Sequence, residues 1–384
     1  MKIGIEGQRL FRKKKHGMDM VALELIKSLQ HIDKKNEYVI FVKPDEDDTC
    51  IPDAPNFKVV TLTSKFGYPG WEQCELPKAA YREGCDVLHC TSNTGPLFCK
   101  VPLVTTLHDI IYLESVSIFK KDGTWYQKLG NMYRRYFVPP VIRRSKKVIT
   151  VSNYEKDRIG NYFGFRDNRL TAIHNGVGEH FTKVTDEEVL LSVRKRYSLP
   201  EHFFFFLGNT DPKKNTVGVL RAFSAFNRWY PNKFHLVMLD YDEGELKRIL
   251  SGIHDPGLRD MIHLTGYVPN QILPAIISQA SIFLYPSLRE SFGIPILEGM
   301  ACGVPVITSN TSSMPEVAGE EAALIIDPFN PDEIAEAMRQ IIEDEMLAKI
   351  LSERGIERAS DFSWKSMAHK VLDLYEDVFQ ELKR

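Results

Sequence analysis

Short apolar runs ended by glycine, proline or polar residues recur along the chain and read as strands. In the first half they are Lys2 to Glu6, Tyr38 to Val42, Lys58 to Leu62, Asp86 to Cys90, Leu103 to Leu107, Lys147 to Val151 and Leu170 to His174. Between them lie stretches with helical spacing of apolar residues, such as Asp19 to Gln30 and Trp125 to Arg144. Strands alternating with helices imply a parallel, doubly wound sheet. The second half repeats the scheme, with strands at Phe203 to Leu207, Phe234 to Leu239, Ile262 to Thr265, Ser281 to Tyr285, Val304 to Thr308 and Ala323 to Ile326, and helices at about 216–229, 270–279 and 331–343. The fold class is therefore α/β, with one Rossmann-like sheet in each half. Apolar periodicity lapses over Gly178 to Thr185, and the link between the halves is placed there. Phe362 to Leu382 reads as one amphipathic helix with Trp364, Met367, Val371, Leu374, Tyr375 and Val378 on a common face, too apolar to stand in water alone.

Composition changes this picture little. At 384 residues the chain suits two domains of ordinary size, and a net charge of −2 gives no reason to expect nucleic acid. The start MKIGIEGQRL lacks the apolar core of a signal peptide, and no run approaches the ~20 apolar residues of a membrane span, so a cytoplasmic location is expected. Six cysteines show no Cys-x-x-Cys pair and no finger-like histidine spacing, which suggests reduced thiols without a zinc site.

Candidate chemistry concentrates in Arg289 to Thr308, RESFGIPILEGMACGVPVIT, where two carboxylates flank a helix start. The preceding strand ends at Pro286, which leaves Glu290 on a loop. Pro295 suits a helix start because its missing N–H has no intrahelical partner there, and the helix is predicted from near Ile294 to a stop at Gly303 and Pro305. Glu298 then falls in or just after the first turn. Free N–H groups and the positive dipole end of that turn favour an anion such as a diphosphate, and a carboxylate beside it can accept hydrogen bonds from vicinal sugar hydroxyls. Two solvated acids near a helix terminus are the plainer reading of such a pair on its own.

Other residues reach strand ends. In FFFFLGNTDPKKNTVGVLRAF at 203–223, a turn at Asp211 and Pro212 delivers Lys213 and Lys214 to the C-terminal edge of the sheet, with Asn215 or Thr216 able to cap the next helix. Open α/β sheets bind ligands along that edge, where a lysine can neutralise a diphosphate, although a lysine pair in a turn is often simply solvated. His108, followed by Asp109, occupies the corresponding edge in VTTLHDIIYL at 104–113, as a structural hydrogen-bonder or as a group aimed at a ligand. Gly17 opens the first helix, where backbone N–H groups can approach a phosphate. The run Arg12 to Lys15 is either solvated or turned towards an anionic acceptor or membrane. In 126–147, Arg134, Arg135, Arg143, Arg144, Lys146 and Lys147 are mixed with aromatic and aliphatic residues, giving either a charged helix face or a surface for anionic lipid. Ser152 reads as a helix N-cap and Asn175 with Gly176 as a turn. Asp240, Tyr241 and Asp242 spell a metal-binding Asp-x-Asp, which is read here as a strand-to-helix loop.

The 289–308 stretch resembles the Glu-x7-Glu signature of the retaining glycosyltransferases of family 4, the group 1 or glycogen-synthase-like enzymes, down to SFGIPILEGMACGVPVITSN and MPEVAGEEAALIIDP at 314–328. The similarity covers nearly the whole chain, most closely from about Leu207 and more loosely before Val101. It implies a GT-B fold, two Rossmann-like domains facing a cleft. The acceptor-side domain would cover 1–180, the nucleotide-sugar domain 181–361, and a terminal helix over 362–384 would cross back to the first domain; a helix packed on the second domain, or at a dimer contact, is the alternative. The resemblance assigns Glu290, Lys214 and His108 as the catalytic set: Glu290 and His108 contact donor-sugar hydroxyls, and Lys214 matches the lysine that holds the diphosphate. It assigns Glu298 to the ribose, Asp109 to supporting its loop, and Lys213, Asn209, Gly17, Ser291, Phe292, Gly293 and Ile294 to donor binding. Asn209 stands where the family often has arginine, and the KKKHG loop is poorer in glycine than usual, so the second diphosphate cation comes from Lys213 or elsewhere.

The implied activity is transfer of a hexose from a nucleoside-diphosphate sugar, GDP-mannose ahead of a UDP-hexose, to a saccharide or lipid-linked acceptor in cell-surface polysaccharide synthesis. No cofactor or metal is implied beyond the donor, and the setting would be the cytoplasm or the inner face of a membrane. Two alternatives share the architecture: a sugar-nucleotide epimerase, and a nucleotide-sugar-binding subunit without catalysis.

Overall fold

A computed structural model describes residues 1–114, 125–165 and 168–383, with the backbone alone over 125–129. The chain forms two compact units, Met1–Gly176 with Trp364–Arg384, and Val177–Ser363.

The first unit holds strands β1 (Lys2–Gly7), β2 (Glu37–Val42), β3 (Phe57–Thr61), β4 (Val87–Cys90), β5 (Leu103–Thr106), β6 (Lys147–Thr150) and β7 (Leu170–Ala172) in the order β3-β2-β1-β4-β5-β6-β7. All pair in parallel. The chain moves outward from β1 and returns to place β4 on its other flank, so the strand order reverses between β1 and β4. Such a switch point opens a crevice at the carboxyl ends of the strands. The helix Gly17–Ile32 follows β1, and the helix Trp364–Lys383 packs against it through a buried face that includes Met367, Val371, Leu374, Tyr375 and Val378. The Tyr375 hydroxyl is hydrogen-bonded to Nδ1 of buried His89 on β4 at 2.5 Å, and Lys147 of β6 pairs with Glu381 at 3.0 Å.

The second unit holds β8 (Phe203–Phe206), β9 (His235–Met238), β10 (Ile262–Leu264), β11 (Ile282–Tyr285), β12 (Val306–Ser309) and β13 (Leu324–Ile326) in the order β10-β9-β8-β11-β12-β13, again parallel, with its switch point between β8 and β11. Four consecutive phenylalanines make β8 because both faces of this sheet are covered. Phe204 packs with Phe223, Phe226 and Phe234 on one face, and Phe205 meets Phe283 of β11 at 5.5 Å between ring centroids.

The two α/β sheets agree with the alternation of the sequence. Three details differ. Helices at Glu187–Tyr197 and Glu345–Ser360 lack a strong apolar stripe and have no counterpart in the sequence reading. The expected helix at 270–279 divides into a 3-10 turn, Asn270–Ile272, and a short helix, Leu273–Ile277, with Pro274 in its first turn. A single π-helical turn, Trp71–Glu75, precedes the helix Leu76–Arg82.

Candidate active site

In the second unit the segments after β8 and β11 flank the switch point and are clamped together. After β8 the chain makes the 3-10 turn Pro212–Lys214, capped by the Asp211 carboxylate accepting from Lys213 N at 3.1 Å. Asn215 follows with φ 58°, a left-handed conformation that asparagine tolerates better than most residues. Its side chain does not cap the Thr216–Asn227 helix; the amide donates instead to Pro286 O at 3.0 Å and Pro328 O at 2.7 Å. Leu288 N donates to Lys213 O at 2.7 Å.

The clamp fixes Lys214. Its Nζ donates to the Tyr285 hydroxyl at 2.7 Å and to Glu290 Oε1 at 2.7 Å. The Lys214 and Glu290 side chains are only 14% and 11% exposed. Burial, reinforced by the Glu290 charge, holds the Tyr285 hydroxyl well above its usual range, so it stays protonated. The Glu290 backbone is anchored at both ends, its N–H donating to Ser312 Oγ at 3.0 Å and its carbonyl accepting from Ser313 Oγ at 3.0 Å.

The helix Ile294–Ala301 begins beside this cluster. Gly293 precedes it with φ 102°, where a side chain is strained, and an added Cβ would also come within 3.1 Å of Ile296 Cδ1. Pro295 has no N–H and Ile296 N closes on Gly293 O at 3.0 Å, which leaves the N–H groups of Gly293 and Ile294 without an acceptor among the described residues. Glu298 is the fifth residue of this helix. It keeps some contact with solvent, yet the protein around it pushes its carboxyl up to about 7, with the Lys214 charge acting in the opposite sense.

The other donor-binding candidates have different surroundings. Phe292 is buried, with its ring edge against Phe362, so its backbone is what it can offer a ligand. Ser291 is half-buried between Glu290 and Phe292. Lys213 extends outward and approaches Asp211 at 3.8 Å, while Asn209 shapes the turn by accepting from Asp211 N at 2.8 Å. Asp242 caps the helix Glu243–Leu250 by accepting from Glu245 N at 2.6 Å. No group of three His, Cys, Asp or Glu side chains suited to a metal ion occurs among the described residues.

In the first unit, His108 lies just after β5, buried, with its backbone N–H donating to Asn93 Oδ1 at 2.6 Å and its ring Nε2 3.1 Å from Thr91 O. A carbonyl can only accept, so Nε2 carries the proton and Nδ1 presents a lone pair. Burial lowers the His108 pKa and keeps the ring neutral. Asp109 accepts from Ile111 N at 3.1 Å and shapes the loop after β5. Gly17 begins its helix with open space where a Cβ would stand. In the basic run before it, Lys13 pairs with Glu46 at 3.1 Å and Lys15 with Asp47, so two of its four charges are locally balanced. Along 126–147 the side chains of residues 126–129 lie outside the described residues. Arg135 donates to Tyr112 O, Arg144 to Cys99 O, and Lys147 is buried, which turns three of the six cations towards the protein. Ser152 Oγ accepts from Glu155 N at 3.2 Å, the expected N-cap. No helix among the described residues is long and apolar enough to cross a membrane.

Sequence reasoning missed Tyr285, Ser312 and Ser313. Tyr285 ends an apolar strand and reads as core; only the return of Lys214 to the same sheet edge shows what its hydroxyl does. Ser312 has φ 53°, and it meets Glu290 across the next loop, a contact with no local signature.

Taken together, the second unit holds one well-positioned cation, two carboxylates in unequal environments and a helix start with free donors, all at a switch point. Such a set can bind a polyol diphosphate and stabilise charge as a diphosphate departs.

Comparison with known proteins identifies the family. Residues 16–180 match the family described as Glycosyltransferase Family 4, and residues 193–358 match Glycosyl transferases group 1. The O-antigen chain mannosyltransferase B of Escherichia coli is 29% identical over 274 residues, covering 71% of this chain and 70% of the relative. The serotype-specific mannosyltransferase WbdA of Escherichia coli is 27% identical over 280 residues, 72% of this chain; the chain spans 34% of that longer protein. Among solved structures, a sucrose-phosphate synthase from Thermosynechococcus elongatus superposes with a TM-score of 0.76 at 20% identity, covering 99% of each chain, so the fold is shared. The chain is a glycosyltransferase of GT-B fold and belongs to the group 1 glycosyltransferases of family 4.

Proposed function

We propose that the protein transfers a mannosyl residue, with retention of anomeric configuration, from GDP-mannose to a saccharide or lipid-linked saccharide during synthesis of a cell-surface polysaccharide. The observation that carries this reading is the position of Lys214 Nζ, 2.7 Å from both Tyr285 and Glu290 beside the free N–H groups at Ile294. Its Nζ and those N–H groups neutralise the diphosphate as the bond from the anomeric carbon to phosphate breaks. The acceptor hydroxyl oxygen bonds to that carbon from the face the phosphate leaves, and the hydroxyl proton passes to the departing phosphate oxygen. Glu298 accepts from the ribose hydroxyls and Glu290 from hydroxyls of the transferred sugar. In the first unit, the free Nδ1 of neutral His108 accepts from a sugar hydroxyl. The choice of mannose rests on what the similar Escherichia coli proteins are named for. Exposed Met132 and Tyr136, with exposed Arg143 and Lys146, give the 126–147 region a basic and apolar surface suited to an anionic membrane.

The test is a thermal-shift screen with GDP-mannose, UDP-glucose and ADP-glucose, since a ligand at 100 times its Kd stabilises the folded state by about 2.7 kcal/mol. GDP-mannose should give the largest shift and support transfer to a mannose-terminated glycan. Glu290→Ala and Lys214→Ala should abolish transfer while far-UV circular dichroism is retained; unchanged turnover in both would overturn the site.

A further inference from the structure

Arg9 follows β1, beside the switch point of the first unit, and its guanidinium stands 5.7 Å over the ring of Tyr68. The side chain is half-buried and its Nε is closed off from solvent, yet among the described residues it makes no hydrogen bond or ion pair. A guanidinium is always charged and carries five N–H donors in a rigid fork, so this is a cation with no direct partner for its fork among the described residues.

The two carboxylates that share its surroundings are already committed. Glu6 accepts from Gln8 N at 2.9 Å on Oε1, and from Thr91 N and Thr91 Oγ1 at 3.2 Å each on Oε2. Glu72 accepts from Tyr133 at 2.6 Å, Gln73 at 2.8 Å and Thr94 at 3.2 Å on Oε1, and from Tyr68 at 2.8 Å on Oε2. The Glu72 network therefore acts as scaffolding: it fixes Tyr68 by its hydroxyl, and the ring of Tyr68 supports Arg9. Glu72 itself stands on the π-helical turn Trp71–Glu75, a conformation that recurs at functional sites.

We propose that Arg9 is the receptor for a phosphate group carried by the acceptor. The proposal rests on the glycosyl-transfer reading above, in which the donor diphosphate is neutralised by Lys214 and the Ile294 helix start. A neutral sugar hydroxyl would leave the Arg9 charge unmatched, whereas a phosphate fits the planar fork through two parallel hydrogen bonds. The phosphate belongs either to a free sugar phosphate or to a lipid phosphate.

Calorimetric titration of the full chain separates these cases, with mannose 1-phosphate as the free probe and farnesyl phosphate in detergent micelles as the lipid probe. Arg9→Gln should weaken both by tenfold or more, Arg9→Lys should recover only part of that loss because an ammonium keeps the charge without the two parallel bonds, and Lys214→Ala should keep phosphate binding. The probe bound more tightly identifies the source. Equal binding by wild type and Arg9→Gln, or no binding by wild type at millimolar probe, overturns the proposal. So does a loss of GDP affinity in Arg9→Gln as large as the loss of mannose 1-phosphate, which would assign Arg9 to the donor. Failure of the wild type to bind GDP-mannose would instead count against the donor reading and leave the Arg9 result to be read by itself.

Discussion

The Nζ of Lys214 and the Oε1 of Glu290 lie 2.7 Å apart, so the cation assigned to the diphosphate and the carboxylate assigned to the sugar hold each other before any donor arrives. A donor must therefore engage both together, replacing one ion pair by two new contacts. Two residues that act as a unit give non-additive losses. Lys214→Met and Glu290→Gln should each lower kcat/KM by about 10²–10³-fold. The double variant should be little worse than the poorer single one. Full multiplication of the two losses in steady-state kinetics would show that they act separately.

Glu298 should give donor binding a pH dependence. Its carboxyl titrates near 7 in the fold and near 4.5 when unfolded, so between those values the folded state holds more protons than the unfolded one. Its contribution to stability is thus largest below about 4.5 and declines as pH rises towards 7. Binding runs the other way, because the ionised carboxylate is the better acceptor for ribose hydroxyls. The ratio of GDP affinity in wild type to that in Glu298→Gln should rise as pH passes from 6 to 8, and a flat ratio would remove Glu298 from the ribose.

His108 is held neutral by burial, which outweighs the opposite pull of the Thr91 carbonyl, so its contribution should not depend on protonation near neutral pH. His108→Ala should lower transfer by roughly ten- to a hundredfold, the equivalent of about 1.4–2.7 kcal/mol. The shape of the pH–rate profile should be unchanged. A lost acidic limb in that profile would mean that the histidine takes up a proton as a base.

The terminal helix offers a stability test. Tyr375→Phe removes the hydroxyl bonded to His89 Nδ1 and leaves a buried ring nitrogen without its partner, which costs about 1–3 kcal/mol. The first unit should show this as a lower Tm, and an unchanged Tm would mean that water replaces the bond.

The strands were readable because parallel strands buried on both faces are continuous apolar runs, as at Phe203–Phe206, and such runs cannot be mistaken for loops. The Glu345–Ser360 helix was not, because it packs on the Ile294–Ala301 helix through Leu351 and small residues such as Gly355, which leave almost no apolar periodicity. The same contrast holds at the site. Glu290, Glu298 and Lys214 lie in segments that the sequence marks with proline and glycine, and His108 follows the end of an apolar run. Tyr285, Ser312 and the Arg9–Tyr68–Glu72 arrangement arise from segments far apart in the chain, and no local pattern encodes them.

The return of the Trp364–Lys383 helix to the first unit also bears on the order of folding. Residues 177–363 form one uninterrupted block with a complete sheet, whereas the first unit waits for a segment made after that block to cover the Gly17–Ile32 helix. On the ribosome the second unit can reach its final state while the first still exposes apolar surface, although the first was translated earlier. A premature stop within the codons for 364–383 would leave the donor-side residues Lys214, Glu290 and Glu298 in an intact unit and expose the N-terminal sheet to aggregation.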